Sequence, residues 1–337
     1  MQTINKIKAD IQPLLTIAIP TYNRAGFLDI NLKKISEELI GLSENQRRLV
    51  NVYISNNAST DDTSEIIKKY NTLHTEIIRV INNSENIGAD LNIAQCYESA
   101  CTPYVWILGD DDLILPGSLG LILNVLLKER VDILYLNHYW FKDNYKEKLI
   151  PLKNPSVSKF HEALDFAKRT NVMLSFISGL IVRTGVGMEY RNTLATSNLV
   201  QFSWVLPLLC DGTSFAVLEN VVVAARGGNS GGYGVVKVFG ENLTRITDNI
   251  LKDKPEVARA IQNGTIIVFF PGFINAFRKG CSDFTDKEMA FGLKQAFGDN
   301  WRYYLFLAPL LNMPLYFSRC YYYLVRLCSR LFGSYLI

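Results

Sequence analysis

Short apolar runs rich in β-branched residues alternate with longer stretches of helical spacing through residues 1–137, and no other feature of the chain restricts its fold as much. Leu14 to Pro20 (LLTIAIP), Val50 to Ile54, Ile77 to Ile81, Tyr104 to Leu108 and Ile133 to Leu136 read as buried strands. Between them, residues 26–40 carry Phe27, Ile30, Leu32, Ile35, Leu39 and Ile40 at roughly helical spacing, and residues 88–100 and 116–128 read as further helices. Ser59 or Thr60 is placed to cap a helix with Asp61, Asp62 and Glu65 in its first turn and Lys68 and Lys69 near its end, an order that suits the helix dipole. Strands alternating with helices imply a mostly parallel sheet covered on both faces.

Beyond this region the pattern loosens. Residues 160–170 look helical, and Leu174 to Val182 reads as a strand. Residues 198–210 read as a helix broken or kinked by Pro207, and Phe215 to Ala225 as another strand. The segment Arg226 to Gly234 (RGGNSGGYG) has too many glycines for an ordered element and reads as a loop. From Trp301 onward the chain is dense in Tyr, Phe and Leu, with Arg302, Arg319, Arg326 and Arg330 and no acidic residue. Asn312, Pro314 and Arg319 interrupt it, so a membrane-spanning helix is not expected there. Aromatic and arginine residues on one helical surface suit the headgroup region of a bilayer. The competing reading is a C-terminal helical pair packed on the core or on a second copy of the chain. The expected divisions are residues 1–137, 138–240 and 241–337.

An open α/β sheet binds ligands beyond the carboxyl ends of its strands, so the residues just after each strand carry the functional reading. They are Pro20-Thr21-Tyr22-Asn23-Arg24, Ser55-Asn56-Asn57-Ala58-Ser59-Thr60-Asp61, Asn82-Asn83-Ser84-Glu85-Asn86-Ile87-Gly88-Ala89-Asp90 and Gly109-Asp110-Asp111-Asp112. All four are polar and should meet along one sheet edge. Three adjacent carboxylates repel one another unless they are solvated, paired or metal-bound. Hard oxygen donors suit Mg²⁺ or Mn²⁺, which leave several positions to phosphate and water. The three histidines, His74, His138 and His161, have no ligand spacing. The six cysteines form no C-x-x-C pair. The net charge of +3 gives no argument for nucleic acid. Lys6 and Lys8 precede no apolar h-region, and Asp10 and Pro13 break up the segment after them, so a cytoplasmic location is expected.

The ordered set PTYNR, NNASTDDT, NIGADLN and YVWILGDDD-x₃-P resembles family 2 glycosyltransferases of the GT-A fold, most closely the abequosyltransferase-like bacterial enzymes that build surface polysaccharide. That resemblance implies a Rossmann-like, mostly parallel sheet flanked by helices, followed by a C-terminal helical region. It implies a nucleotide-diphosphate sugar donor, a saccharide or lipid-linked saccharide acceptor, inversion at the anomeric carbon, and Mn²⁺ or Mg²⁺. The enzyme would be peripheral on the inner face of the cytoplasmic membrane. Pro20, Thr21 and Tyr22 would lie against the nucleoside, with Arg24, Asn86, Asp90 and Asp110 near the nucleotide, and Asp111 and Asp112 as metal ligands. Asn56 stands where the family has an aspartate that accepts from the base, which leaves UDP, dTDP, GDP and CDP open. Aligned by Pro116, Gly109 stands where the first aspartate of the D-x-D-D pattern would be. Arg226 could hold the diphosphate, with backbone N–H groups of Gly227, Gly228 and Gly231 nearby. The family's acidic base motif is missing, because the corresponding region reads Asn198-Leu199-Val200-Gln201-Phe202-Ser203-Trp204. Glu189 and Asp211 flank it and could substitute as base, and Gln201 could contact the acceptor. Two other classes stay open: a nucleotidyltransferase, and a non-catalytic relative that binds sugar nucleotides.

Overall fold

The computed structural model describes residues 12–145, 154–228, 234–280 and 289–337. The expectations for Lys6, Lys8, Asp10, Gly231 and Cys281 lie outside the described residues. The chain divides into two compact units made of interleaved segments. One comprises residues 1–159, 177–186 and 216–227, the other residues 160–176, 187–215 and 228–337.

The first unit carries strands β1 (Leu15–Thr21), β2 (Val50–Asn56), β3 (Ile78–Asn82), β4 (Tyr104–Ile107), β5 (Leu113–Ile114), β6 (Ile133–Phe141), β7 (Val157–Phe160), β8 (Leu180–Arg183) and β9 (Phe215–Arg226). They form one sheet in the order β3-β2-β1-β4-β8-β6-β9-β5, with β7 beside β9. β1 pairs in parallel with β2 and β4, and β2 in parallel with β3. β8 enters antiparallel to both β4 and β6. Helices α1 (Ala25–Gly41), α2 (Glu44–Arg47), α3 (Thr63–Leu73), α4 (Ala89–Glu98) and α5 (Ser118–Lys128) alternate with these strands. Successive side chains of β1 point to opposite faces, and Leu15 to Ile19 are all buried, so both faces are covered. Leu28, Leu32, Ile35 and Leu39 of α1 pack in one core with Ile17, Ile19, Val52 and Trp106.

The parallel register decides where the loops go. Thr21 pairs with Asn56, and Asn56 with Asn82, so the carboxyl ends of β1, β2 and β3 stop side by side. β4 runs in the same direction beside β1 and delivers Gly109 to Asp112 to the same edge.

Two local expectations are corrected. Neither Ser59 nor Thr60 caps α3. Asp62 holds the N-cap, while Asp61 Oδ1 accepts from the Thr63 N–H at 3.1 Å. The apolar run Leu174 to Val182 is not one strand either. It passes through short 3₁₀ turns at Asn171–Ser175 and Ile177–Gly179 and pairs only from Leu180. The Ser178 carbonyl accepts from the Trp106 indole at 2.9 Å, and its hydroxyl accepts from Gly109 N–H at 2.9 Å. An extended backbone there would forfeit these two bonds.

The second unit is helical: α6 (Ala163–Thr170), α7 (Arg191–Leu194), α8 (Phe202–Asp211), α9 (Leu243–Ile250), α10 (Pro255–Gly264), α11 (Phe270–Arg278), α12 (Met289–Phe297), α13 (Ala308–Asn312) and α14 (Leu315–Leu336). Pro207 lies inside α8 without ending it. Pro271 and Pro309 each follow a π-helical turn, at Thr265–Phe269 and Tyr303–Leu307. A proline removes one helical donor and crowds the preceding turn, and a wider turn just upstream accommodates both effects. Among the described residues, Pro255–Arg278 is the one helical run long and apolar enough to cross a membrane, and 67% of its apolar window is buried within the protein. Ile266, Ile267, Phe270 and Ile274 from that run share a core with Phe306, Leu307, Leu310 and Val325.

Candidate functional site

The first two loops at the sheet edge are laced together before any ligand is considered. Asn23 adopts a left-handed backbone (φ 52°), which turns its amide toward the β2 loop. Its side-chain oxygen accepts from Thr60 N–H at 2.7 Å, and its own N–H donates to Ser59 Oγ at 3.0 Å. Ala25 N–H donates to Asp61 Oδ2 at 3.1 Å. Ser59, Thr60 and Asp61 therefore fix the PTYNR turn. Tyr22 projects from that turn with 42% of its surface exposed, and Pro20 stays within β1.

The second and third loops are joined by amides. Asn57 donates to Asn86 Oδ1 at 2.8 Å and accepts from Asn83 Nδ2 and Ile87 N–H, each at 3.0 Å. Gln95 and Asn92 extend the network to Ser55. Asn86 thus ties two loops together, and Asp90 is buried in the first turn of α4. Asn56 accepts from Ser59 N–H at 3.1 Å and donates to Ser64 Oγ at 3.3 Å and Asn82 Oδ1 at 3.2 Å, which orients its amide.

The acidic run sits where these loops converge. Thr21 Oγ1 donates to Asp110 Oδ2 at 2.8 Å. Arg24 Nη1 donates to Asp111 Oδ2 at 2.8 Å and stands 3.7 Å from Asp110 Oδ1. Asp112 Oδ1 accepts from the Arg226 N–H at 2.8 Å. Burial pushes the Asp110 carboxyl up to about 7; Arg24 opposes this and the Asp111 charge adds to it. Asp112 is likewise pushed up to about 7, by burial first and the Asp111 charge second. The guanidinium of Arg226 lies between two rings, 4.8 Å from the centroids of both Phe27 and Phe141, and donates to the Lys142 carbonyl at 2.7 Å.

Gly109 is tightly surrounded by side-chain oxygens. A Cβ there would lie 3.2 Å from Asp112 Oδ2, 3.3 Å from Asp111 Oδ1 and 3.3 Å from Ser178 Oγ. A side chain at that position would require the Asp111 and Asp112 carboxylates to shift by a few tenths of an ångström. Gly109 and the shifted triplet therefore belong together.

Two residues of this site escape sequence reading. Asn31 on α1 is fully buried and donates through Nδ2 to the Asp112 carbonyl at 2.7 Å and the Gly109 carbonyl at 3.1 Å, clamping both ends of the acidic turn. Ser178 holds the Gly109 N–H from the other side. The signal for Asn31 was present: it is a polar residue inside the apolar stripe Leu28, Leu32, Ile35. Its neighbour on that stripe, Glu38, accepts from Gly117 N–H at 2.6 Å and Leu119 N–H at 2.8 Å and so serves the start of α5.

The residues named for the acceptor side lie in the second unit. Glu189 is exposed in a short 3₁₀ turn, and Asp211 is exposed as the last residue of α8. Gln201 is buried, and its Nε2 donates to the Ser175 carbonyl at 2.6 Å.

The comparisons with known proteins bear on the edge just described. The family model for glycosyl transferase family 2 matches residues 16–186, from β1 to just beyond β8. The abequosyltransferase RfbV of Salmonella typhimurium is 36% identical over 123 residues, which span 36% of this chain and 34% of that relative's length. Residues 1–349 of TarS from S. aureus, crystallised with UDP-GlcNAc, superpose with a TM-score of 0.60 at 17% identity, covering 94% of this chain and 91% of that one. The mannosyltransferase PcManGT from Pyrobaculum calidifontis, in complex with GDP-Man and Mn²⁺, superposes with a TM-score of 0.52 at 15% identity, covering 95% and 88%. At these identities the two structures establish a shared fold, the GT-A type.

Proposed function

The chain belongs to glycosyl transferase family 2, and from that premise we propose that it moves a sugar, with inversion, from a nucleotide-diphosphate donor to a saccharide or lipid-linked saccharide in surface polysaccharide synthesis. One observation carries this reading. Thr21 and Arg24 from the turn after β1, and Arg226 from the end of β9, each bond one member of Asp110-Asp111-Asp112 at a single sheet edge. Such an edge is where a nucleotide binds in this class of sheet.

The donor set fits a hard divalent ion. Asp111 and Asp112 supply carboxylate oxygen and no softer group. Among the described residues no group of three His, Cys, Asp or Glu side chains encloses one point. A Mg²⁺ or Mn²⁺ ion here would therefore take most of its ligands from phosphate and water, as these ions usually do. Bound there, it would neutralise charge on the departing diphosphate without a proton. The chain's own groups do the rest. Tyr22 offers an exposed ring to the nucleoside. The Asn56 amide, held by Ser59, faces the base, with Asn86 and Asp90 on the ribose side. The Arg226 guanidinium is fixed by two rings and meets the diphosphate without losing further rotamer freedom. Asp211 or Glu189 takes the proton of the acceptor hydroxyl.

Nucleotide binding is the first test. With Mn²⁺ present, one of UDP, dTDP, GDP or CDP raises the apparent melting temperature, because a ligand of the native state stabilises it. Mn²⁺-dependent hydrolysis of the matching sugar nucleotide then supports transfer. Release of pyrophosphate would replace this reading with nucleotidyl transfer. Binding without hydrolysis or transfer would favour a non-catalytic relative.

We place the enzyme at the inner face of the cytoplasmic membrane. Helix α14 exposes Tyr316, Phe317, Tyr323, Leu327, Leu331 and Phe332, and no acid follows Asp299 to oppose Arg319, Arg326 and Arg330. That combination suits an anionic interface. Deleting the chain beyond residue 300 would strip Phe306, Leu307 and Leu310 from the core, so it tests folding as much as binding. Leu327→Glu with Leu331→Glu changes the exposed face alone. We expect the double variant to lose at least about tenfold in partition to phosphatidylglycerol-containing vesicles, since each leucine side chain contributes about 1.5–3 kcal/mol when buried in lipid. Equal sedimentation of variant and wild type would refute membrane contact through this face.

A further inference from the structure

The two arginines of the site are held in different ways. Arg226 is pinned by Phe27, Phe141 and the Lys142 carbonyl, and its Nε is buried without a hydrogen-bond partner. Arg24 is 30% exposed. Its guanidinium is held by Asp111 at 2.8 Å and Asp110 at 3.7 Å, and it lies 5.5 Å from the Phe27 ring centroid. Phe27 therefore touches both guanidinium groups, but Arg24 has the carboxylates as its chief restraint.

Three adjacent carboxylates, two of them buried, need a cation nearby. Arg24 is a cation bonded to this run. A divalent ion drawn to Asp111 meets a guanidinium already bonded to the same carboxylate, and two cations repel across so short a distance. A nucleotide diphosphate brings the complementary charge. Its phosphate oxygens match the fork of a guanidinium at least as well as a carboxylate does.

We propose that Arg24 is a built-in stand-in for the divalent ion: it is bonded to Asp111 before ion and donor arrive and transfers to the donor diphosphate when they bind. The inference rests on the metal-dependent reading above and adds to it a direction of coupling. The ion displaces Arg24 from Asp111 and frees it for the donor, and the donor draws Arg24 away and frees Asp111 for the ion, so each tightens the other's binding. The ring of Phe27 serves as a resting surface that keeps the side chain at the site during the exchange.

The test is Mn²⁺ binding read from the free-ion electron paramagnetic resonance signal, with no turnover required. Arg24→Gln removes the competing charge, and Arg24→Met does the same while keeping the apolar stem against Phe27. We expect both variants to bind Mn²⁺ alone about fivefold more tightly than wild type, the scale of one partly exposed ion pair. We also expect both to bind the preferred nucleoside diphosphate more weakly at saturating Mn²⁺. Opposite shifts are the signature, since a residue that only supports the fold would weaken both. Equal Mn²⁺ affinity in wild type and both variants would overturn the exchange and leave the metal reading intact. Mn²⁺ binding by none of the three proteins, with or without nucleotide, would overturn both. Loss of both affinities in a variant that still folds would reduce Arg24 to a structural contact.

Discussion

Asp111→Asn reduces sugar transfer by at least about 10³-fold, a loss of about 4 kcal/mol in transition-state stabilisation, while the protein keeps its fold. The size comes from where charge develops. As the donor bond breaks, negative charge accumulates on the diphosphate, and preorganised positive charge at that point is worth the most. Asp111 is the group that would hold the ion there, and it is also the carboxylate bonded to Arg24. The side chain is 14% exposed, and an amide has its shape. Its charge is one of the forces that push Asp110 and Asp112 upward, so removing it relieves strain among the carboxylates. We therefore expect thermal unfolding without Mn²⁺ to occur no lower in the variant than in wild type, and stabilisation by Mn²⁺ to disappear. Kinetics with a matched sugar nucleotide and a melting curve decide it. Undiminished, Mn²⁺-dependent turnover would remove Asp111 from the site.

The expected parallel strands and their polar ends emerged because both depend on local pattern. A β-branched run buried on both faces has few other states, and a parallel pair must deliver its carboxyl ends to one edge. The family resemblance then gave those ends chemical roles. What stayed hidden depends on contacts between distant segments. The acidic turn is clamped by Asn31 from α1 and by Ser178 from the turn before β8, and it is contacted by Arg226 at the end of β9. No local spacing announces that three such segments meet. The run Leu174 to Val182 is a strand only from Leu180 for the same reason: Trp106 and Gly109 claim the Ser178 backbone and side chain, and that tertiary demand outweighs β-propensity. The helices of the second unit illustrate a third limit. Pro271 and Pro309 should interrupt an α-helix, but a π turn upstream of each lets the helix continue. The catalytic base is a different matter, since the motif that would mark it is missing. Glu189 and Asp211 are both exposed carboxylates in the second unit, and kinetics of their amide variants will separate them.

Asn31→Asp tests whether the clamp on the acidic turn is what the geometry indicates. The Asn31 amide donates to two backbone carbonyls, which fixes its orientation because only the nitrogen end can serve them. Its oxygen is buried without a hydrogen-bond partner. An aspartate has almost the same shape but no donor. It would set carboxylate oxygen against the Gly109 and Asp112 carbonyls and add a fourth acidic group beside three others. Two lost hydrogen bonds and a buried, unpaired carboxylate together cost about 3 kcal/mol or more. Asn31→Leu removes the donors and the unpartnered oxygen together and adds no charge, so its cost should be about 1–2 kcal/mol. The order of the two variants is therefore informative. Denaturant midpoints should fall more for Asn31→Asp than for Asn31→Leu, and Mn²⁺ binding should weaken in both because the turn that carries Asp111 loses its clamp at each end. If Asn31→Asp were as stable as wild type, the carbonyls of Gly109 and Asp112 would have to be satisfied some other way, and the acidic turn would not be held from α1.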